Sequence, residues 1–355
     1  MDDFLIIGGG IAGTSAGARL AQLGTVRVLE AEDALAYHAS GRSAALFEES
    51  YGTEAVVALN HASRSFHETA RVLSPRGFMV VGAKGGEAQL ASDLDKMKLD
   101  AISIGDACAL MPILNPDALC GAGYHADAWD IDTDRLVQSF ARETRQNGEI
   151  VTGAPVTRIT RLGTGWQVQT PKGDFKARKL VNAAGAWVDE VAAMAGVAPV
   201  GIRPLRRSMA RIPAPGGLDV SGWPMVLGAG ETWYAKPDAG ALIVSPADAE
   251  PSTPHDAWAD DMVLAEGLAR YQEMVSEPVT RVISNWAGLR SFTPDGNLAI
   301  GPAPDDPDFI WFAGQGGYGM QSSPAASQLL ADILGGRPPE LDAKSVTSLN
   351  VTRFS

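Results

Sequence analysis

The glycine cluster Gly8-Gly9-Gly10-Ile11-Ala12-Gly13 follows directly on the apolar run Phe4-Leu5-Ile6-Ile7. Gly8 allows a tight turn, Gly10 lets backbone approach a pyrophosphate, and Gly13 and Gly17 let a helix pack closely on a strand. A helical stretch closes at Gly24, and a second apolar run, Val26 to Leu29, ends on Glu30. Glu30 lies 20 residues after Gly10, where a carboxylate can hold ribose hydroxyls. The pyrophosphate would sit on free N–H groups at the positive end of the helix dipole. Strand, glycines, helix, strand and acid in this register predict a dinucleotide site.

Two further groups carry chemistry. Arg203, Arg206 and Arg207 cluster in one segment, Arg290 stands in Trp286-Ala287-Gly288-Leu289-Arg290, and Tyr234 lies between them. Arginine suits bidentate recognition of a carboxylate, and a tyrosine hydroxyl adds a neutral donor. The plainer alternative is surface arginines paired with some of the 42 acidic residues. Gly314-Gln315-Gly316-Gly317-Tyr318-Gly319-Met320-Gln321 is a glycine loop leading into a helix expected over about Ser322–Leu334. Its N–H groups would stabilise negative charge building on a ring system during reduction, which suits a flavin better than a nicotinamide.

Other elements must position these groups. Tyr37 to Gly52 is rich in small residues, suited to a chain passing something planar and polar; the alternative is a loop and a helix capped by Ser40 or Ser43. Thr53 to Arg71 reads as a helix with Val56, Val57, Leu59, Ala62 and Phe66 on its apolar face, and His61 and His67 as solvated positions. A strand follows at Phe78–Val81, then a helix-rich polar segment to Leu110. The acidic Gly121–Asp134 segment lacks the glycine and glutamate of a calcium loop, so it is expected as a turn in which Asp132 or Thr133 caps a helix. No metal site is expected. Strands resume from Glu149, and Leu180–Trp187 reads as a strand entering a second small-residue turn that could face the same cofactor.

Hydrophobic residues make 45% of the 355, charged residues 20%, and the formal net charge is -13. That balance argues against nucleic acid or an anionic membrane surface as partner. Cys108 and Cys120 form no CxxC pair, so they are expected as small buried side chains. No apolar run reaches the length of a membrane span and no signal peptide is visible, so a cytoplasmic protein is expected.

With these segments quoted, the chain resembles the D-amino-acid oxidase and dehydrogenase family of FAD enzymes, which includes glycine and sarcosine oxidases. The resemblance runs nearly end to end and is nearest to D-arginine-dehydrogenase-like flavoproteins. It implies an α/β chain: a Rossmann-type FAD-binding domain built from discontinuous segments (1–75, 145–200 and 285–355), and a substrate domain (76–144 and 201–284) on a mixed, largely antiparallel sheet. It implies that Gly8, Gly10, Ile11, Ala12, Gly13, Glu30 and Ala31 hold the adenosine half of FAD. Ser40, Arg42, Ser43, Ala44 and Ala45 would run beside the flavin. Val156, Ala183, Gly185, Trp187 and Gly288 would line the same site, with Gly316, Gly317, Tyr318, Gly319, Met320 and Gln321 near the flavin's pyrimidine edge. Arg207 and Arg290 match the positions that bind substrate carboxylate, with Tyr234, Tyr51 and Gly317 beside the substrate and Gln321 in its pocket.

Two positions depart from the D-arginine-type pattern. Phe78 stands where that branch has an acid for a basic substrate, and Leu46 where it has a histidine. A more apolar pocket and an uncharged D-amino acid follow as expectations. Gly288 stands near the place of the cysteine that attaches flavin in sarcosine oxidases, so FAD is expected to be non-covalent. The implied reaction is hydride transfer from Cα to flavin, giving a 2-oxo acid and ammonia, with no side chain standing out as a base. Alternatives are a secondary amine or 2-hydroxy acid as substrate, or a non-catalytic flavin-binding subunit. The residues leave the electron acceptor open among a quinone, a dye-type acceptor and O2.

Overall fold

The computed structural model describes residues 1–354. Asp2–Ile7 alternates its side chains between two cores, as a strand must. Phe4 and Ile6 pack with Ala12, Ala16 and Leu20 of the helix Ile11–Leu20, while Leu5 and Ile7 enter a second core with Trp166, Val168 and Trp311. Asp2–Ile7 pairs in parallel with Val26–Leu29 on one side and Gly173–Asn182 on the other; Gly148–Val151 and Phe309–Ala313 extend this parallel centre. Antiparallel strands complete an eight-stranded sheet. Hydrophobic runs with both faces covered are the mark of such a sheet.

The second sheet has nine strands drawn from residues 78–125 and 203–292, antiparallel except where Met225–Gly228 runs parallel to Phe78–Ala83. This is the two-part α/β arrangement expected, with helices on the parallel sheet and a mixed sheet beside it. Leu46–Phe47, Trp129–Ile131 and Leu73–Pro75 form a third, small sheet in that order.

Several expectations need correcting. Ser284–Phe292 is bonded along its whole length to Arg203–Pro213, so a boundary at 285 cuts a strand of the second sheet. Thr133–Thr144, assigned by sequence to the substrate segment, packs on the first helix: a Cβ on Gly17 would meet Thr144 Oγ1 at 2.7 Å. The Gly121–Asp134 segment forms strand, not only turn, through Leu119–His125 and Trp129–Ile131; Asp132 does cap the following helix, accepting from Arg135 N at 2.9 Å. No helix forms between Tyr37 and Tyr51; Thr53 caps the helix Glu54–Ala70. On that helix Ala62 is exposed and His67 is buried. The last long helix is Gly319–Gly335, and it contains Pro324; Ser323 Oγ donates to the Met320 carbonyl that lacks an amide partner at the proline. Cys108 and Cys120 are both free and only half-buried. Among the described residues no helix is long and apolar enough to cross a membrane, and no three metal-ligating side chains gather.

Candidate active site

A cavity of about 560 Å³ runs from the glycine turn after Asp2–Ile7 to the second sheet. The turn exists because two glycines interlock. Gly8 takes φ +108°, and a Cβ on Gly13 would lie 1.7 Å from the Gly8 carbonyl oxygen. The helix starting at Ile11 has no side-chain cap on its preceding residue; instead Ser40 Oγ, from across the cavity, accepts from Ile11 N at 3.0 Å. A helix start that faces a cavity without a side-chain cap of its own suits a phosphate group.

Gly8, Gly10, Ile11, Ala12, Glu30 and Ala31 line this end. Gly13 does not, because it is pressed on Gly8 and Ile6. Glu30 is held by amides, accepting from Gly9 N at 2.5 Å and Glu32 N at 2.9 Å. Ser40, Arg42, Ser43, Ala44 and Ala45 line the middle, facing Val156, Ala183, Gly185, Trp187 and Gly288, so the second small-residue turn does open onto the same cavity as the first. The Arg42 guanidinium is engaged by protein: it donates to the Ala257 and Ala287 carbonyls, to Tyr37 O and to Asp256.

At the far end stand Gly316, Gly317, Gly319, Met320 and Gln321. Tyr318 does not line the cavity; its ring packs edge-on between Tyr51 and Phe292, and burial pushes its hydroxyl up to about 12. Gln315, within the glycine loop and not among the expected site residues, lines the cavity with both amide atoms buried and unpartnered. Such a donor–acceptor pair fits the edge of a flavin ring, and the uncapped start of Gly319–Gly335 lies beside it. The donors present therefore fit FAD.

The arginines separate by strand periodicity. On paired strands Arg207 faces Gly288 and Arg290 faces Leu205, so Arg207 and Arg290 share one face. Arg206 points the other way, to Asp248 and Glu250, and Arg203 is exposed. The expected cation cluster thus reduces to one cavity arginine from that segment. Arg207 is 7% exposed, anchored by Nε to the Asp248 carbonyl at 2.7 Å. Burial, then the Arg290 charge, lowers its pKa from the ordinary arginine value. Burial works against Arg290 too, but the Tyr51 and Tyr234 hydroxyls and Glu231 outweigh it and the net direction is upward. Arg290 Nη2 donates to Tyr51 Oη at 3.1 Å, and the Arg207 guanidinium lies 5.9 Å from the Tyr234 ring centre. A Cβ on Gly317 would fall 1.7 Å from Arg290 Nη2, so this glycine makes room for the guanidinium.

Leu46, Phe78, Tyr51, Tyr234 and Gln321 line the same end, joined by Met209, Met225 and Leu227. Glu48 and Glu231 line it as well, so two carboxylates stand in a pocket expected to be more apolar. Glu48 was legible in principle, two residues from Leu46 in an extended segment; Met209 follows Arg207 at the same period. Glu231 sits at φ +53° in the turn before Tyr234, and no sequence signal marks its direction.

The family model described as FAD dependent oxidoreductase matches residues 3–333. Glycine oxidase of Pseudomonas putida is 26% identical over 365 residues, covering 95% of this chain and 96% of that protein. Mitochondrial dimethylglycine dehydrogenase of Homo sapiens is 25% identical over 287 residues, covering 69% of this chain but 31% of that protein; this chain spans about a third of its length. The solved glycine oxidase of Geobacillus kaustophilus superposes with a TM-score of 0.84 at 20% identity, covering 97% of both chains, a likeness of fold.

Proposed function

The chain belongs to the family of FAD-dependent oxidoreductases, and from that membership and the cavity's geometry we propose that it oxidises the C–N bond of an α-amino acid held by its carboxylate. The observation that carries this reading is the Arg207–Arg290 pair on one sheet face, in the cavity that the dinucleotide turn also lines. FAD supplies the hydride acceptor. Arg207 and Arg290 bind the carboxylate, and Tyr51 and Tyr234 offer hydroxyls beside it. Fixing that end turns Cα–H toward the ring site lined by Gly316 and Gly317, and orientation of this kind removes much of the entropic barrier. The cavity walls Leu46, Phe78, Met225 and Leu227 exclude water from the side-chain end.

The amine must lose its proton before electrons leave nitrogen, so activity rises with pH along a basic limb; solvent or a water near Tyr51 takes the proton. Hydrolysis of the resulting imine gives a 2-oxo acid and ammonia. An uncharged D-amino acid is the expected substrate, because Phe78 and Leu46 make the wall apolar and the two arginines already balance the carboxylate and Glu231. A second reading is favoured by the N-methylated substrate named for the human relative: oxidation at an N-methyl group, giving formaldehyde and the shortened amine. Product analysis separates them. Ammonia and a 2-oxo acid from D-amino acids support the first reading; formaldehyde from N-methyl amino acids, with D-amino acids inert, replaces it with the second.

A further inference from the structure

Glu48 lines the cavity and His125 stands against it from outside the lining, a pair that the reaction above does not use. Glu48 is 5% exposed and lines the cavity on the same side of its extended segment as Leu46, while Phe47 between them enters a separate core. His125 stands directly across from Phe78 on paired strands, ring centres 6.1 Å apart. Its Nε2 lies 2.9 Å from Glu48 Oε2, an ion pair when the ring is protonated, while His125 Nδ1 is buried without a hydrogen-bond partner. The rest of Glu48 is fixed: Oε1 accepts from Ser50 N at 3.0 Å, and its amide donates to Gln321 Oε1 at 3.1 Å. A buried carboxylate is costly unless a cation and donors compensate it, and here His125 is that cation.

The charged groups around His125 are Glu48, Asp127 from the turn after its own strand, and Asp100 from the adjacent strand; the strand across contributes the uncharged Phe78. Burial disfavours the imidazolium, but the hydrogen bond to Glu48 and the charges of these carboxylates outweigh it, so the imidazole pKa is raised from its ordinary value.

We propose that Glu48 and His125 together determine which charge is accepted at the far end of the substrate. With His125 protonated the pair is neutral, and the wall of Leu46 and Phe78 takes an uncharged tail whose one donor can reach Glu48 Oε2. With His125 neutral the carboxylate stands uncompensated and a cationic tail is favoured. The pair is thus a pH-dependent selectivity filter, resting on the reading that Arg207 and Arg290 anchor a carboxylate.

The test uses the flavin-loaded enzyme and ligands that cannot be oxidised as amino acids: pentanoate against 5-aminopentanoate, and hexanoate against 6-aminohexanoate. Binding is read from perturbation of the flavin spectrum, so it does not depend on turnover. At pH 6 the wild type prefers the uncharged tail by about tenfold, the ratio of one pKa unit of interaction. The preference moves steadily toward the cationic tail as pH rises to 9, where the ammonium tails are still charged. His125→Gln reverses the preference toward the cationic tail and removes the pH dependence. His125→Lys, which supplies a permanent cation, restores the uncharged preference across the range. A merely structural role for His125 would shift both ligands of a pair together. Identical ratios in wild type and variants at every pH overturn the filter and leave the clamp standing. Failure of all four ligands to bind wild type overturns the clamp and the filter with it. If either variant does not accumulate, the wild-type pH profile decides by itself.

Discussion

Arg207 and Arg290 extend over one cavity from paired antiparallel strands, Arg207 opposite Gly288 and Arg290 opposite Leu205. Such diagonal neighbours lie about 7–8 Å apart at their bases, close enough for both forks to reach one carboxylate. Glycine at 288 and glycine at 317 keep the space between strand and loop free of side chains.

The clamp predicts an ordered mutational series. Arg290→Lys keeps the charge but loses the fork, and raises KM for the amino acid by roughly 100-fold, about 3 kcal/mol. Tyr51→Phe keeps both guanidinium forks, removing the 3.1 Å hydrogen bond to Arg290 and a hydroxyl beside the carboxylate, and costs about 1 kcal/mol. Steady-state kinetics on the two variants, with FAD content checked by absorbance, would show that order; equal effects of both would contradict it.

Gly317→Ala tests the loop independently. Gly317 does not take a positive φ, so alanine is acceptable to the backbone, and the closest conflict is with the Arg290 guanidinium. FAD content and thermal stability stay near wild type while KM rises at least tenfold. Loss of FAD would mean that the loop serves the cofactor rather than the arginine.

Neither Cys108 nor Cys120 lines the cavity, and Gly288 faces Arg42 and Ala39, so no cysteine is placed to bond a flavin. Acid precipitation of the protein is therefore expected to leave its yellow colour in the supernatant. Colour retained in the pellet would show a covalent bond.

His67 couples stability to pH. It is fully buried, its Nε2 donates to the Gln321 carbonyl at 2.8 Å, and its Nδ1 has no partner. Burial lowers its pKa to about 4 from 6.5. The unfolded chain then takes up a proton that the folded chain refuses, so stability is full above about pH 6.5 and falls as pH drops toward 4. The loss approaches roughly 3 kcal/mol. His67→Gln, which keeps a donor for Gln321, should flatten that part of the denaturation profile; parallel wild-type and variant profiles between pH 7 and 4.5 would contradict it.

The parallel half of the fold was legible because its signals are local: an apolar strand, glycines forced by contacts a few residues apart, and an acid at fixed spacing. Arg207 and Arg290 were legible as residue types, but only strand register tells Arg207 from Arg206. The origin of Ser284–Phe292 in the second sheet was hidden, since its pairing with Arg203–Pro213 spans some eighty residues of sequence. His67 looked solvated because a single histidine on a polar helix gives no sign that Gln321, far along the chain, closes over it. Glu48, Glu231 and Gln315 were not among the expected site residues for the same reason: nothing local says which way a side chain in an extended segment or a turn will point.

The most direct test of the account is anaerobic mixing of the purified protein with D-amino acids, their L-enantiomers, N-methyl amino acids and 2-hydroxy acids, following the flavin absorbance. The account predicts rapid bleaching by uncharged D-amino acids, slow bleaching by D-arginine, and loss of both in an Arg207→Met variant that still binds FAD. Bleaching only by 2-hydroxy acids, or by no carboxylate at all, would contradict it.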